Sequence, residues 1–302
     1  MSKITVIGGA RQQITANALD QIMAEQENEG EIFASFSGTG HNIAENLGRI
    51  GADVAFVSAA GDDFSGRALR QEMEKAGVDT RFLRLEEGQR TAARIEVLNI
   101  IGDPQMIMND EKIYGCITKE TVDEAEELLN ASEFVCVDGS LSEEVLRHLT
   151  ETVKAPLFLD PHREEDAEKV RDFIGAFNMI KPNRGEASVL CGKEIFSEEQ
   201  LKEAGKWFAD QGVKRIFITM SGGGVYYKEG DSEGILRPKE MLPMQNERGA
   251  GDAFSAAVLD GAIRGMTIEQ LAAYGMKAAE ITLECKAAVN PAMSREKMDS
   301  GE

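Results

Sequence analysis

From about residue 115 onward, short apolar runs alternate with longer segments of mixed polarity. Residues 134–137, 157–159, 178–180 and 215–219 read as buried strands, too short for helices and flanked by polar breaks. Between them, residues 121–130, 142–150 and 197–210 read as helices. Two of these open with capping-box spacing, Thr121 to Glu124 and Ser197 to Gln200, an arrangement that satisfies orphan backbone donors at a helix start. Repeated βα units predict a largely parallel sheet covered by helices. The first half starts the same way, with a strand over 4–7, a helix over 42–50, a strand over 54–57 and a helix over 64–76.

Two segments interrupt this rhythm. Residues from about 11–36 contain polar, acidic stretches, and in 91–112 Ala93, Ile95 and Val97 alternate before the turn Gly102-Asp103-Pro104, with Met106 and Met108 after it. Both predict strands of a small β lid standing off the main sheet, because structureless loops of that length are uncommon in compact domains. No internal repeat or low-complexity linker divides the chain, so 1–302 reads as one α/β domain: a three-layer α/β/α sandwich with a mainly parallel central sheet and a lid. The polar tail SREKMDSGE is expected to fray. Trp207, at helical spacing from Leu201 and Ala204, is expected in the core.

Charge narrows the function. The chain of 302 residues carries 53 acidic and 33 basic side chains, a formal net charge of −20, which argues against gripping a polynucleotide or an anionic membrane through a basic face. With 42% hydrophobic residues it has the composition of a globular protein. The N-terminus MSKITVIGG does not read as a leader, and no window approaches the roughly 18 uninterrupted apolar residues of a membrane span, so a cytoplasmic location is expected. Cys116, Cys136, Cys191 and Cys285 are far apart and form no ligand cluster; Cys136, in FVCVDG, reads as a reduced core thiol.

Four glycine-rich or polar turns carry candidate chemistry. Gly249-Ala250-Gly251-Asp252 precedes an apolar helix over 253–263. Successive N–H groups at a helix start form a cavity for negative charge, and a carboxylate there is suited to taking a proton from a hydroxyl that attacks phosphorus. A plain turn with Asp252 as helix cap fits the same residues. Lys181-Pro182-Asn183-Arg184-Gly185-Glu186 follows a predicted strand, at the carboxyl end where open α/β sheets bind ligands. Asn183 and Glu186 can form a capping box, hold a hydrated magnesium ion, or do both. The run 218–227, ITMSGGGVYY, reads as a hairpin with permissive glycines. Ser37-Gly38-Thr39-Gly40-His41-Asn42 enters a helix but fails the dinucleotide fingerprint, since Ile43 occupies the third glycine position; His41 reads as a loop residue.

Taken in order, Gly8-Gly9 after the first strand, GTGHN with NIAENLGRIG, VSAAGDDFSG, KPNRGE, TMSGGGVYY and RGAGDAFSAAVLDG resemble the ribokinase-like (PfkB) carbohydrate and nucleoside kinases over almost the whole chain. The resemblance implies a ribokinase-like fold and an ATP- and Mg2+-dependent phosphotransferase. It implies Asp252 as catalytic base and Gly249, Ala250 and Gly251 as its anion hole. Asn183 and Glu186 match the motif that positions magnesium, through water; Asn183, Thr219, Ser221, Gly224 and Asn290 fall on the ATP side. Arg11, Gln13, Gly38, Thr39, Gly40 and Asn42 fall on the substrate side. Lid strands imply a homodimer.

KPNRGEA, TMSGGGVYY, Asp160-Pro161 and CKAAVNP resemble the family's pseudouridine-phosphorylating branch. A free sugar, another nucleoside or an inactive ligand-binding role remain alternatives. Where family members commonly show Asn and Asp after the first strand, this chain has Arg11 and Gln13, which suits a more polar or acidic substrate. Asn246-Glu247-Arg248 replaces a usual Asp-Thr-Thr, a departure at the family's monovalent-cation site, and Ser221 replaces a usual glycine.

Overall fold

The computed structural model describes residues 3–238 and 248–300. In chain order its strands are β1 (Ile4–Ile7), β2 (Arg11–Ala18), β3 (Gly30–Ser37), β4 (Val54–Gly61), β5 (Leu83–Glu86), β6 (Ala92–Leu98), β7 (Pro104–Asp110) and β8 (Phe134–Asp138). They continue with β9 (Leu157–Asp160), β10 (Met179–Ile180), β11 (Arg215–Thr219), β12 (Val225–Glu229) and β13 (Ser232–Leu236). Nine strands form one sheet in the order β13-β12-β11-β10-β9-β8-β1-β4-β5. Its pairs are parallel except for β12 and β13, which close one edge as antiparallel hairpins.

Strand periodicity splits the apolar residues between two cores, one on each face of the sheet. Ile7, Val135, Val137, Leu157, Leu159, Ile216 and Ile218 join one core, while Val6, Cys136, Phe158, Met179 and Phe217 join the other. Helices cover both faces, so the architecture is the three-layer sandwich that the alternating pattern predicts. Cys136 is fully buried, and burial pushes its thiol well above the usual range. No helix among the described residues is long and apolar enough to cross a membrane.

β2, β3, β6 and β7 form a separate four-stranded sheet in the order β3-β2-β6-β7. Ile14 pairs with both Ala34 and Ile95, and Ile95 with Met108, so these residues share one face. Ala16, Ile32, Val97 and Met106 extend that face by the same register. Ile32, Ile95, Met106 and Met108 on it are exposed.

Several local expectations change. The helix expected over 121–130 is two, Lys119–Glu124 and Glu126–Ala131, and the capping box pairs Thr118 with Thr121 instead of Thr121 with Glu124. The predicted box of Ser197 and Gln200 is present. His41 is not in a loop: the helix Thr39–Arg49 starts directly at the Gly38 turn and buries His41 to 1% exposure. Trp207 is only partly buried, packed edge-on to Phe208. The tail does not fray throughout. Ser294 caps a short helix, Arg295–Asp299, whose Met298 is buried. Arg295 forms a forked pair with Asp260, with Nη2 donating to Oδ1 at 2.8 Å, and two-pronged charged contacts of this kind hold a helix that its own composition would not.

Candidate active site

Three strand ends and one helix start converge at the carboxyl edge of the main sheet. Gly249 adopts a left-handed conformation, φ +78°, and begins the helix Ala250–Ile263. The first N–H groups of that helix have no partners within it and face whatever lies ahead of the turn. Asp252 stands in this first turn, and its Oδ2 accepts a 2.7 Å hydrogen bond from Asn42 Nδ2, which comes from the helix Thr39–Arg49. Burial, then the neighbouring charge of Asp160, pushes the Asp252 carboxyl up to about 7, against the opposing pull of Lys181 and the Asn42 hydrogen bond.

Asn183 follows β10, and Thr219 N–H donates to Pro182 O at 3.0 Å, binding the two loops together. Asn183 caps the helix Arg184–Cys191. Its backbone N–H donates to Glu186 Oε2 and its Nδ2 to Oε1, while its Oδ1 accepts from Glu186 N–H. Glu186 is 3% exposed; burial pushes its carboxyl up to about 7, against the pull of Lys181. After β11, Ser221 takes a positive φ of 49° in a short turn, and Gly224 has φ +93°. A Cβ on Gly224 would lie 2.0 Å from Leu236 O, so only glycine fits there.

These elements surround one cavity of about 370 Å³. Asn183, Glu186, Thr219, Ser221, Gly224, Ala250, Gly251 and Asp252 line it, as does Thr39. At its apolar end stand Val225 and, from the helix Ile268–Leu283, Met276, Ala279 and Leu283. No sequence motif marks this apolar end, and four polar lining residues, Asp160, His162, Lys181 and Glu280, also fall outside the predicted set. Asp160-Pro161 and KPNRGE were in view, but the pairing of Lys181 Nζ with Asp160 Oδ2 at 2.9 Å spans two strand ends and leaves no periodic trace.

On the other side of Asn42, one buried carboxylate joins two turns. Asp138 Oδ2 accepts from Gly9 N–H and Gly40 N–H, both at 3.0 Å. Gly40 is therefore engaged through its backbone, and a Cβ there would meet Gly8 Cα at 2.8 Å. Gly38 packs as closely, with Gly9 O 2.7 Å from where its Cβ would stand. Thr39 Oγ1 shares a 2.7 Å hydrogen bond with His162 Nδ1. Arg11 Nη1 donates to Glu111 at 2.7 Å, and Gln13 is buried with its Nε2 donating to Thr15 at 3.4 Å. Arg248 pairs with buried Glu96 of β6, and Arg94 reaches the same carboxylate at 3.8 Å. Burial and the nearby Arg11 hold Arg94 below its usual value.

Asn290 does not join the lining of the cavity. Its Nδ2 donates to Ile281 O and its Oδ1 accepts from Ala292 N–H, because a buried amide must satisfy both ends. Asn246 and Glu247 lie outside the described residues.

The sequence matches the pfkB family carbohydrate kinases over residues 1–295, and the chain belongs to that family. It is 28% identical to a pseudouridine kinase of Escherichia coli over 96% of this chain and 93% of that protein. Among solved structures, a carbohydrate kinase from Agrobacterium tumefaciens superposes with a TM-score of 0.85 at 25% identity, covering 99% of this chain and 96% of that one. A ribokinase of Arabidopsis thaliana, solved with ribose and ATP, superposes with a TM-score of 0.82 at 19% identity over 99% and 98% of the two chains.

Proposed function

We propose that this pfkB-family kinase transfers the γ-phosphoryl group of ATP to the 5′-hydroxyl of a ribosyl nucleoside, with pseudouridine as first choice. The observation that carries the reading is Asp252: a carboxylate of raised proton affinity at a helix N-terminus, oriented by Asn42 and open to the cavity. Asp252 takes the acceptor proton at a carboxylate oxygen. The N–H groups of the turn 249–251 hold the charge of the phosphoryl oxygens, and the apolar end of the cavity receives the base of the nucleotide. The β2–β3–β6–β7 sheet acts as a lid that excludes water.

Among the described residues no group of three or more His, Cys, Asp or Glu side chains stands ready to hold a metal directly. The site nonetheless fits a hydrated magnesium ion, since Asp160, Glu186 and Asp252 outnumber the ammonium of Lys181 in one buried neighbourhood. Asn183 and Glu186, already bonded to each other, would meet such an ion through its water. Bound magnesium would offset the charge of the triphosphate.

A second reading rests on Arg11, Arg94 and Arg248 gathered around Glu96 and Glu111. Their forks suit a carboxylate or phosphate on the acceptor, which favours an acidic sugar. A coupled ADP-release screen over pseudouridine, uridine, adenosine, ribose, fructose and a sugar acid decides. Turnover led by pseudouridine supports the first reading, and turnover led by the sugar acid supports the second. No turnover above the Asp252→Asn variant on any of them refutes the kinase reading in favour of a ligand-binding role.

The exposed apolar face around Ile32, Ile95, Met106 and Met108 supports a homodimer through the lid. Light scattering is expected to give twice the chain mass, and the double change Ile95→Glu, Met108→Glu to give a monomer. A wild-type monomer mass refutes the dimer.

A further inference from the structure

Lys181 has no task in the mechanism above, yet its position is costly. It is 5% exposed at the end of β10 and faces the cavity beside Gly251 and Asp252. It stands among the carboxylates of Asp160, Glu186 and Asp252. Nζ lies 2.9 Å from Asp160 Oδ2. That oxygen also accepts a 2.7 Å hydrogen bond from Ser255 Oγ, one turn beyond Asp252 on the same helix. The ammonium is thus clamped to the element that carries Asp252.

Its outward side is equally defined. A Cβ placed on Gly251 would stand 3.1 Å from Nζ, so the ammonium touches the glycine turn at the helix start. An oxygen bound by the N–H groups of that turn lies within reach of Nζ. An ammonium has three donors, and Asp160 occupies one of them. A pair with only a structural role can usually be exchanged for apolar side chains without loss and has no need to border the cavity.

We infer that Lys181 is a further catalytic residue, whose ammonium donates a hydrogen bond to a non-bridging oxygen of the phosphoryl group in transfer, opposite the helix start at 249–252. In that step the acceptor oxygen forms a bond to the γ-phosphorus and the bond from γ-phosphorus to the bridging oxygen of ADP breaks. The acceptor proton goes to Asp252, and Lys181 keeps its own. A contact to the transferred group must distinguish a nucleoside triphosphate from a diphosphate, which a structural clamp does not.

The inference rests on the phosphotransfer reading, and its test separates the two. Calorimetry compares binding of ADP and of the β,γ-imido analogue of ATP, each with magnesium, to wild type, Lys181→Met and Lys181→Arg; kcat is measured with the acceptor that gives turnover. Lys181→Met is expected to lower kcat about 100-fold and to weaken the analogue about 10-fold while ADP affinity holds within about twofold. Lys181→Arg should recover part of both. Because Lys181→Met leaves the buried Asp160 without its cationic partner, the double variant Lys181→Met, Asp160→Asn is measured alongside, with thermal unfolding as the check on folding. Equal weakening of ADP and the analogue, or unchanged kcat in a folded variant, overturns the role of Lys181 and leaves the kinase reading standing. A wild type that neither binds the analogue nor turns over overturns both.

Discussion

Asp252→Asn is expected to lower kcat about 10³-fold while leaving nucleotide affinity within a few-fold, because only the proton acceptor is removed. The wild-type pH profile should carry the same signature. Asp252 accepts a proton only when ionised, and burial with the nearby Asp160 pushes its carboxyl up to about 7. Activity should therefore rise with pH through about 7 and level off above it. The residual activity of the variant should lack that limb.

Stability should move the other way. The folded state favours protonated Asp252 more than the unfolded chain does, so between the ordinary carboxylate value of 3.8 and about 7 the folded state binds more protons. Stability then falls as pH rises through that window. At pH 8 the ionised, buried carboxylate is a strained component of the fold, and Asn in its place should raise Tm by about 2–4 °C. The difference should vanish below about pH 4, where both states hold the proton. A variant that retains more than a tenth of wild-type kcat, or that melts lower than wild type at pH 8, contradicts this account of Asp252.

Gly249→Ala should abolish most activity by a different route. Gly249 holds φ +78°, and a Cβ there would stand 1.8 Å from Ala288 O, a backbone atom with no rotamer to yield. The helix start must shift, and with it the N–H groups that face the cavity. A lost donor of this kind costs about 10²–10³ in kcat, and the strained backbone adds about 1–3 kcal/mol of instability. Gly251→Ala is the informative partner, because its Cβ would meet only the end of the Lys181 side chain, at 3.1 Å. Denaturant unfolding should show a clear loss for Gly249→Ala and little for Gly251→Ala. A Gly249→Ala variant within threefold of wild-type kcat would sink the placement of the anion hole.

The central sheet was legible because its strands are short apolar runs spaced by helix-length segments; β1 at Ile4–Ile7 and β11 at Arg215–Thr219 coincide with their predicted limits. Asn183 and Glu186 were legible as a capping box because that bond is local in sequence. What escaped was non-local. The Asp160 contacts to Lys181 and Ser255 join residues far apart along the chain, and the last helix depends on Arg295 reaching Asp260. His41 escaped because a glycine turn usually signals a loop, whereas here Gly38 lets the chain enter a helix immediately. At Thr118, two threonines competed for one cap, and the earlier one won.

Asp138 makes the acceptor side behave as one mechanical piece. Gly9 lies two residues before β2, and Gly40 two residues before Asn42, yet both hang from the same carboxylate oxygen. That oxygen is a fulcrum between the entry to β2 and the start of the helix Thr39–Arg49, whose Asn42 in turn holds Asp252. On the proposed reading, the lie of β2 and the aim of Asp252 are thereby geared together before any nucleotide is present.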